Sequence, residues 1–465
     1  MKLKWLIIKR YGGIKLKFDW NIVYPFRHKF YWFLIKHMQW WPITTGNNNL
    51  KINSNGKKHI AYYLWEYPAL SQTFVQREIN ALRNSLGDIF VFSDVTSSDY
   101  IEGIIPGKPT CLLPVDKKKL QVYKKLFFKK SPFLFVNLFF YTLLHNYHPY
   151  KSLSFDKETF NKSVYLAGLM RENNISHIHS PWSDRSAFVS LIASKLLNIS
   201  YSVQARAHDI HRKNYLFGLE EKFNNADFII TNTNYNLEHL GKNYSLNGKV
   251  NLIYNGIDLK QFVPVNGENQ DPGPVKLLCV ARLVEQKGLI ILLKAVKILK
   301  DKNYEFTCEI IGGPESLYMN YYISLKKLHK ELGLSENVFF LEAQPFDKVL
   351  KHYNDADIFV LPCVVAEDGS RDITPNSLIE AMAMKLPVIS TTVTGIPEIV
   401  DNGINGILIP PNDIDALVSA VEKLFNEPLL RRQFGENARR KVEEKFDINK
   451  NINRYIHLFE NNLKN

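Results

Sequence analysis

Four polar residues in the C-terminal half have types and spacings that suit an anionic, hydroxyl-rich ligand. Arg282 and Lys287 share one loop, Gly312-Gly313 makes a turn after an apolar run, and Asp372 and Glu380 lie eight residues apart with Pro375 between them. Two cations beside a glycine turn would neutralise a diphosphate. A helix beginning near Pro375 would turn the free N–H groups around Asn376 and Ser377, and its positive dipole end, towards the same anion. Glu380, one turn into that helix, would accept from the hydroxyls of a ribose. Locally the stretch reads equally well as a capped helix with an acidic first turn, and each charge alone as a surface charge. A second polar cluster, Ala205-Arg-Ala-His-Asp209, holds Arg206, His208 and Asp209. A third set is Ser71 and Thr73 at a helix start, with His179 further on.

These groups need strands that end where the loops begin. Ile60–Trp65, Ile89–Phe92, Tyr201–Gln204, Phe228–Thr231 and Val250–Tyr254 read as short buried strands, with helices at Val75–Leu82 and Ala187–Leu197 among them. After Pro264–Pro274, rich in Asn, Gly, Pro and acids, the rhythm restarts. Strands are expected at Lys276–Val280, Thr307–Ile311, Val338–Leu341, Ile358–Leu361, 388–392 and Ile407–Ile409, with a helical tail from Asp413. Strand–helix alternation predicts an α/β chain with parallel, doubly wound sheets. The expected division is a basic aromatic extension over 1–55, a Rossmann-like unit over 56–263, a second Rossmann-like unit over 264–440 and a return helix over 441–465. Ligands of open α/β sheets bind past the C-terminal strand ends, where all three polar sets fall. Ser71 and Thr73 stand where an N-cap would lie.

At 465 residues the chain is too long for one core. Four scattered cysteines, without metal spacing, fit free thiols in a reducing compartment. A net charge of +13 predicts an anionic partner. In the second half no G-x-G-x-x-G follows the first strand and no P-loop signature occurs, which argues against a hydride-transfer enzyme and a P-loop ATPase. No recognition motif supports nucleic acid binding. Residues 1–41 hold five of the seven tryptophans and a single acid, Asp19. This composition, with the lysine-rich approach to Phe133–Leu144, suits a membrane–water interface. Neither stretch reaches the roughly 20 apolar residues of a spanning helix.

Nine pieces, in order from Ile60 to Phe446, resemble the family-four retaining glycosyltransferases of GT-B fold. They are Tyr67-Pro-Ala-Leu-Ser-Gln-Thr-Phe74, His177-Ile-His179, Ala205–Asp209, Asn255-Gly-Ile-Asp258, Ala281-Arg-Leu with Lys287-Gly288, Ile311-Gly-Gly-Pro314, Ala356–Pro362, Asp372 with Glu380-Ala-Met-Ala, and Gly395-Ile-Pro-Glu398. The exopolysaccharide and lipopolysaccharide branch carries a similar Pro-x-Leu-Ser-x-Thr-Phe loop. The resemblance implies two Rossmann-like domains facing across a cleft, the first taking the acceptor and the second the donor. It implies transfer of a sugar, with retention, from a nucleoside-diphosphate sugar to a saccharide or lipid-linked saccharide. It also implies no metal or other cofactor, and a cytoplasmic site at the inner membrane face.

In that scheme Arg282 and Lys287, with the Gly312-Gly313 turn, bind the diphosphate. Asn376 and Ser377, at the helix start, bind the donor as well, Glu380 holds the ribose, Asp372 touches the donor sugar, and Ser71, Thr73 and His179 lie on the acceptor side. Asp372 replaces a family Glu, and Ile373 replaces the Gly that usually follows it. Arg206 stands where the family carries a catalytic-region His. Either His208, two residues on, takes that role or Arg206 stabilises charge, with Asp209 beside them. A GT-B sugar-nucleotide epimerase and a catalytically silent binding subunit are the alternatives.

Overall fold

The computed structural model describes residues 9–10, 13–14, 59–69, 72–95, 110–112, 114–145, 153–211, 218–265, 273–314 and 318–463. Most of the aromatic leader, Ser71 and most of the predicted linker fall outside this set. A two-residue antiparallel pair, Lys9–Arg10 with Gly13–Ile14, stands apart from the two main sheets.

The first sheet has seven parallel strands: β1 (His59–Glu66), β2 (Ile89–Val95), β3 (Thr110–Cys111), β4 (Ile175–Ser180), β5 (Ser200–Ala205), β6 (Phe228–Thr231) and β7 (Val250–Leu252). Their order is β3-β2-β1-β4-β5-β6-β7. The second has six: β8 (Val275–Val280), β9 (Phe306–Ile311), β10 (Val338–Phe340), β11 (Ile358–Leu361), β12 (Val388–Thr391) and β13 (Gly406–Ile409). Their order is β10-β9-β8-β11-β12-β13, all parallel. Each sheet therefore starts in its middle, winds outward one way, then returns to wind the other way. The crevice beside β1 and β4, and that beside β8 and β11, are the switch points where ligands of such sheets bind.

Burial on both faces explains the near-continuous apolar strands. Ala61 and Tyr63 of β1 face a core shared with the helices Lys117–Lys130, Leu153–Glu172 and Arg185–Leu197, while Ile60, Tyr62 and Leu64 face the helix Thr73–Leu86. That second layer is completed from the far end of the chain. The C-terminal helix Ile448–Leu463 places Ile452, Tyr455 and Phe459 in the core of the first unit. Gly256 makes this return possible, since a Cβ there would come within 2.6 Å of Ile448 Cα.

Candidate active site

At the switch point of the second sheet, the loop after β8 meets the loop after β11. Residues Glu285–Lys287 form a short 3-10 turn closed by Gly288 in the left-handed region, φ 67°. A side chain at 288 would strike the Pro362 carbonyl oxygen at 1.8 Å, so only glycine lets the two loops touch. Val364 N–H then donates to the Gln286 carbonyl at 3.0 Å. This contact delivers Lys287 to Asp372: the ammonium lies 2.9 Å from Oδ2, and both side chains are largely buried. The Cys363 thiol lies 3.6 Å from the same oxygen, and burial, with Asp372 beside it, pushes that thiol well up. Thr394 Oγ1 donates to the Asp372 carbonyl. Gly312 sits against the neighbouring loop, where a Cβ would meet the Ala281 carbonyl oxygen at 1.8 Å. Arg282, next in the chain, is exposed. Gly313 has more room, its nearest neighbour being Ala343.

Asp372 leads, after Pro375, into the helix Asn376–Ala383. No side chain caps its start, and the Asn376 side-chain oxygen is buried without a partner. Ser377 accepts from the Tyr353 hydroxyl through its carbonyl at 3.3 Å. Glu380 Oε2 accepts from the same hydroxyl at 3.3 Å, and its Oε1 from Arg77 at 2.7 Å. Arg77 belongs to the first unit, so this carboxylate is held from across the interface.

The first unit presents a different arrangement. Arg206 is buried, its Nη2 2.6 Å from Glu78 Oε2, its Nη1 donating to Asn255 Oδ1 at 2.6 Å, and its guanidinium 4.7 Å from the centre of the Phe74 ring. Glu78 also accepts from Tyr62 and Gln204. The charge of Arg206 is thus matched inside the protein, and this residue positions Phe74, Asn255 and Glu78. Asp209 is fully buried and accepts from the backbone N–H of Ser183, Arg206 and Ala207. Its carboxylate braces the loops after β4 and β5. His208 opens a one-turn helix, and its side chain lies outside the described set.

Two acceptor-side expectations change. His179 is fully buried among Tyr62, Phe228 and Phe459, with Nδ1 on Ser202, so it presents nothing to an acceptor. Burial pushes its pKa well down. Thr73 is the first helical residue and the cap position falls on Gln72, whose side chain makes no cap bond. It accepts instead from the Trp182 indole at 3.1 Å. Phe74 and Trp182, edge to face at 5.7 Å, flank this crevice.

Residues missed in the sequence join the two halves. Asn236 donates to the Arg206 carbonyl and to Asn232 Oδ1, and Asn232 donates to Thr374, two residues past Asp372. Glu398 accepts from the N–H groups of Asn234 and Tyr235 at the start of a first-unit helix, and from the Tyr254 hydroxyl. The one signal for Glu78 was a carboxylate on the apolar face of Val75, Ile79 and Leu82. A cavity of about 350 Å³ lined by Lys276, Glu309, Lys351 and His352 lies at the opposite, N-terminal end of β8 and touches none of this chemistry.

Residues 265–441 match the family model described as "Glycosyl transferases group 1". The amylovoran biosynthesis glycosyltransferase AmsK of Erwinia amylovora is 34% identical over 209 residues, covering 43% of this chain and 47% of AmsK. The capsular polysaccharide biosynthesis glycosyltransferase CapM of Staphylococcus aureus is 33% identical over 175 residues, 36% of this chain and 41% of CapM. The chain thus spans about half the length of the curated relatives it matches. The Anabaena protein Alr3699/HepE, solved in complex with UDP and glucose, superposes with a TM-score of 0.63 at 15% identity over 87% of this chain and 100% of its own. The shared architecture is the GT-B fold.

Proposed function

We propose that this chain, whose second unit belongs to the group 1 glycosyl transferases, moves a glycosyl group from a nucleoside-diphosphate sugar to a saccharide or lipid-linked saccharide, with retention, in cell-surface polysaccharide assembly. The observation that carries the reading is the meeting of Lys287 and Asp372 at the switch point of the second sheet, inside the family-matched region. One cation and one carboxylate there answer the two charges of the reaction. As the bond from the sugar C1 to the phosphate oxygen breaks, negative charge grows on the diphosphate and positive charge on C1. Lys287, Arg282 and the uncapped start of Asn376–Ala383 stabilise the first. Asp372 accepts from a sugar hydroxyl, and Glu380 from the ribose.

The acceptor hydroxyl oxygen forms the new bond to C1, and its proton passes to the departing phosphate oxygen. Attack on the face that phosphate leaves retains the configuration. The acceptor enters beside Phe74 and Trp182. The complex of HepE with UDP and glucose, and the biosynthetic roles that AmsK and CapM are named for, support the choice of substrates. Peripheral placement at the inner membrane face accords with the net charge of +13.

The test is a transfer assay with a panel of nucleoside-diphosphate sugars and oligosaccharide acceptors, with NMR of the new anomeric centre. Transfer with retention, lost in Glu380→Ala, is the expected result. Nucleotide release with no glycosylated product would replace the reading with a sugar-nucleotide epimerase, and neither product would replace it with a silent binding subunit.

A further inference from the structure

The helices Lys117–Lys130 and Pro132–His145 form the outermost layer over the first sheet. Their inner residues, among them Leu120, Phe127, Leu134 and Leu138, are buried in the core. Soluble helices in this position carry polar residues outside. The second helix does the reverse. Phe133 is 70% exposed, Val136 43% and Phe140 51%, at the i, i+3, i+7 spacing of one stripe. Its polar Asn137 and Thr142 are buried, and the Asn137 side-chain oxygen has no partner. Thr142 turns its hydroxyl back to the Leu138 carbonyl. The first helix extends the outer apolar surface with Val122 and Phe128, and Phe128 meets Phe135 edge to face at 5.9 Å.

Charge identifies what covers this surface. Seven lysines lie between residues 117 and 130, and no acid occurs from 117 to 155. Lys118, Lys125 and Lys129 are exposed on the same helix as Val122 and Phe128. A second copy docked here about a twofold axis would set lysine row against lysine row. An anionic bilayer surface offers both things the face needs: acyl-chain depth for the phenylalanines and phosphate for the ammonium groups. Among the described residues no helix is long and apolar enough to cross a membrane, so the contact is along the surface.

We infer that the paired helices 117–130 and 132–145 are a docking face for an anionic phospholipid surface, with the stripe Phe133, Val136 and Phe140 inserted and the lysines of 117–130 at headgroup level. This inference gives a surface to the peripheral position proposed above, and its evidence is independent of the reaction.

The test is co-sedimentation of the full chain with vesicles of phosphatidylcholine alone or with one-third phosphatidylglycerol. The chain is expected to bind the mixed vesicles at least tenfold more tightly, with affinity falling as salt rises. Phe133→Ser/Val136→Ser/Phe140→Ser and, separately, Lys118→Glu/Lys125→Glu/Lys129→Glu should each lower binding at least tenfold. All six side chains point outward, so the melting temperature and transfer to a water-soluble acceptor should hold. Variants that bind as the parent does would overturn the inference and assign vesicle binding elsewhere in the chain. Concentration-dependent dimers broken by the serine variant, without vesicle binding, would overturn it in favour of a second copy. Failure of transfer in every form, with vesicle binding intact, would overturn only the proposed reaction.

Discussion

Lys287 cannot serve Asp372 and a diphosphate fully at once, and that competition has a measurable sign. The ammonium and carboxylate lie 2.9 Å apart with both side chains mostly buried. A hydrogen bond between charged partners in such a place is worth about 1.5–3 kcal/mol net. In the proposed reaction a free nucleoside diphosphate draws on the same ammonium and sits near the same negative charge. Asp372→Asn removes that charge, keeps the shape and releases Lys287. Nucleoside diphosphate affinity should therefore rise by the energy no longer spent on the pair, about tenfold to a hundredfold. Calorimetric titration with UDP, GDP and ADP, whichever the protein binds, reads the change directly. The unliganded variant should melt lower, because Lys287 loses its partner, and the nucleotide should raise its melting temperature by more than it raises the parent's. Turnover of the sugar nucleotide should move the opposite way, down at least tenfold, since a neutral amide at this position holds a sugar hydroxyl less well than the carboxylate does. Diphosphate affinity that stays within threefold of the parent, or weakens, in a folded variant would refute the competition and with it the assignment of Lys287 to the diphosphate.

Glu380→Ala should weaken nucleoside diphosphate binding about tenfold to a hundredfold through lost charged hydrogen bonds, and leave inorganic pyrophosphate binding unchanged. Equal loss for both ligands in calorimetry would place Glu380 near the phosphates instead. Arg206→Met strands Glu78 in the core and should cost about 3–5 kcal/mol, read by denaturant unfolding, with the double variant Glu78→Gln/Arg206→Met regaining most of it. An unchanged midpoint in the single variant would deny the buried pair its structural weight. Burial holds His177 at about 3 and pushes His179 down. In the unfolded chain both titrate near 6.5, so below about pH 6.5 the unfolded chain binds protons that the folded one excludes, for His177 down to about pH 3. Stability is then complete above pH 6.5 and falls as the pH drops, by up to about 1.4 kcal/mol per pH unit for each histidine. Thermal melts from pH 8 to 4 check the slope, which His177→Asn should flatten.

The parts of this molecule legible from the sequence are those fixed by near neighbours. The strands were visible because a parallel sheet covered on both sides makes each strand a continuous apolar run, as Phe228–Thr231 and Ile358–Leu361 are. The loops Ala281–Gly288 and 362–375 followed, since a loop after a strand of such a sheet opens on the ligand crevice. Pro375 marked its helix start for a local reason as well. Partners set by tertiary packing were not legible. Nothing near His179 says that Phe459, from the last helix, will close over its ring. Nothing near Asp209 says that three backbone N–H groups will converge on it. At Thr73 the local cap rule met a stronger competitor, because Trp182 takes the Gln72 side chain and the helix begins without a side-chain cap. The stretch Phe133–Leu144 was legible as apolar, but its outward face required the neighbouring helices.

The two units are fastened differently at the front and at the back of the crevice, and the difference bears on how a donor enters. At the back the fastening is apolar: Ile452, Tyr455 and Phe459 are embedded in the first unit, and Ile448 presses on Gly256. Pulling these apart exposes three large side chains to water, at about 1.5–3 kcal/mol each. At the front every contact named is polar: Arg77 with Glu380, Asn232 with Thr374, and Glu398 with the helix start at Asn234. Water replaces such contacts at a net cost near 1 kcal/mol for a neutral pair and somewhat more for a charged one. A rotation that keeps the C-terminal helix seated and parts the front therefore meets the least resistance. Among the contacts it would release is Arg77 on Glu380, the carboxylate assigned to the ribose. Donor entry and separation of the units are then coupled through one side chain, so Arg77→Ala should change the rate of nucleotide association more than the energy of the bound state.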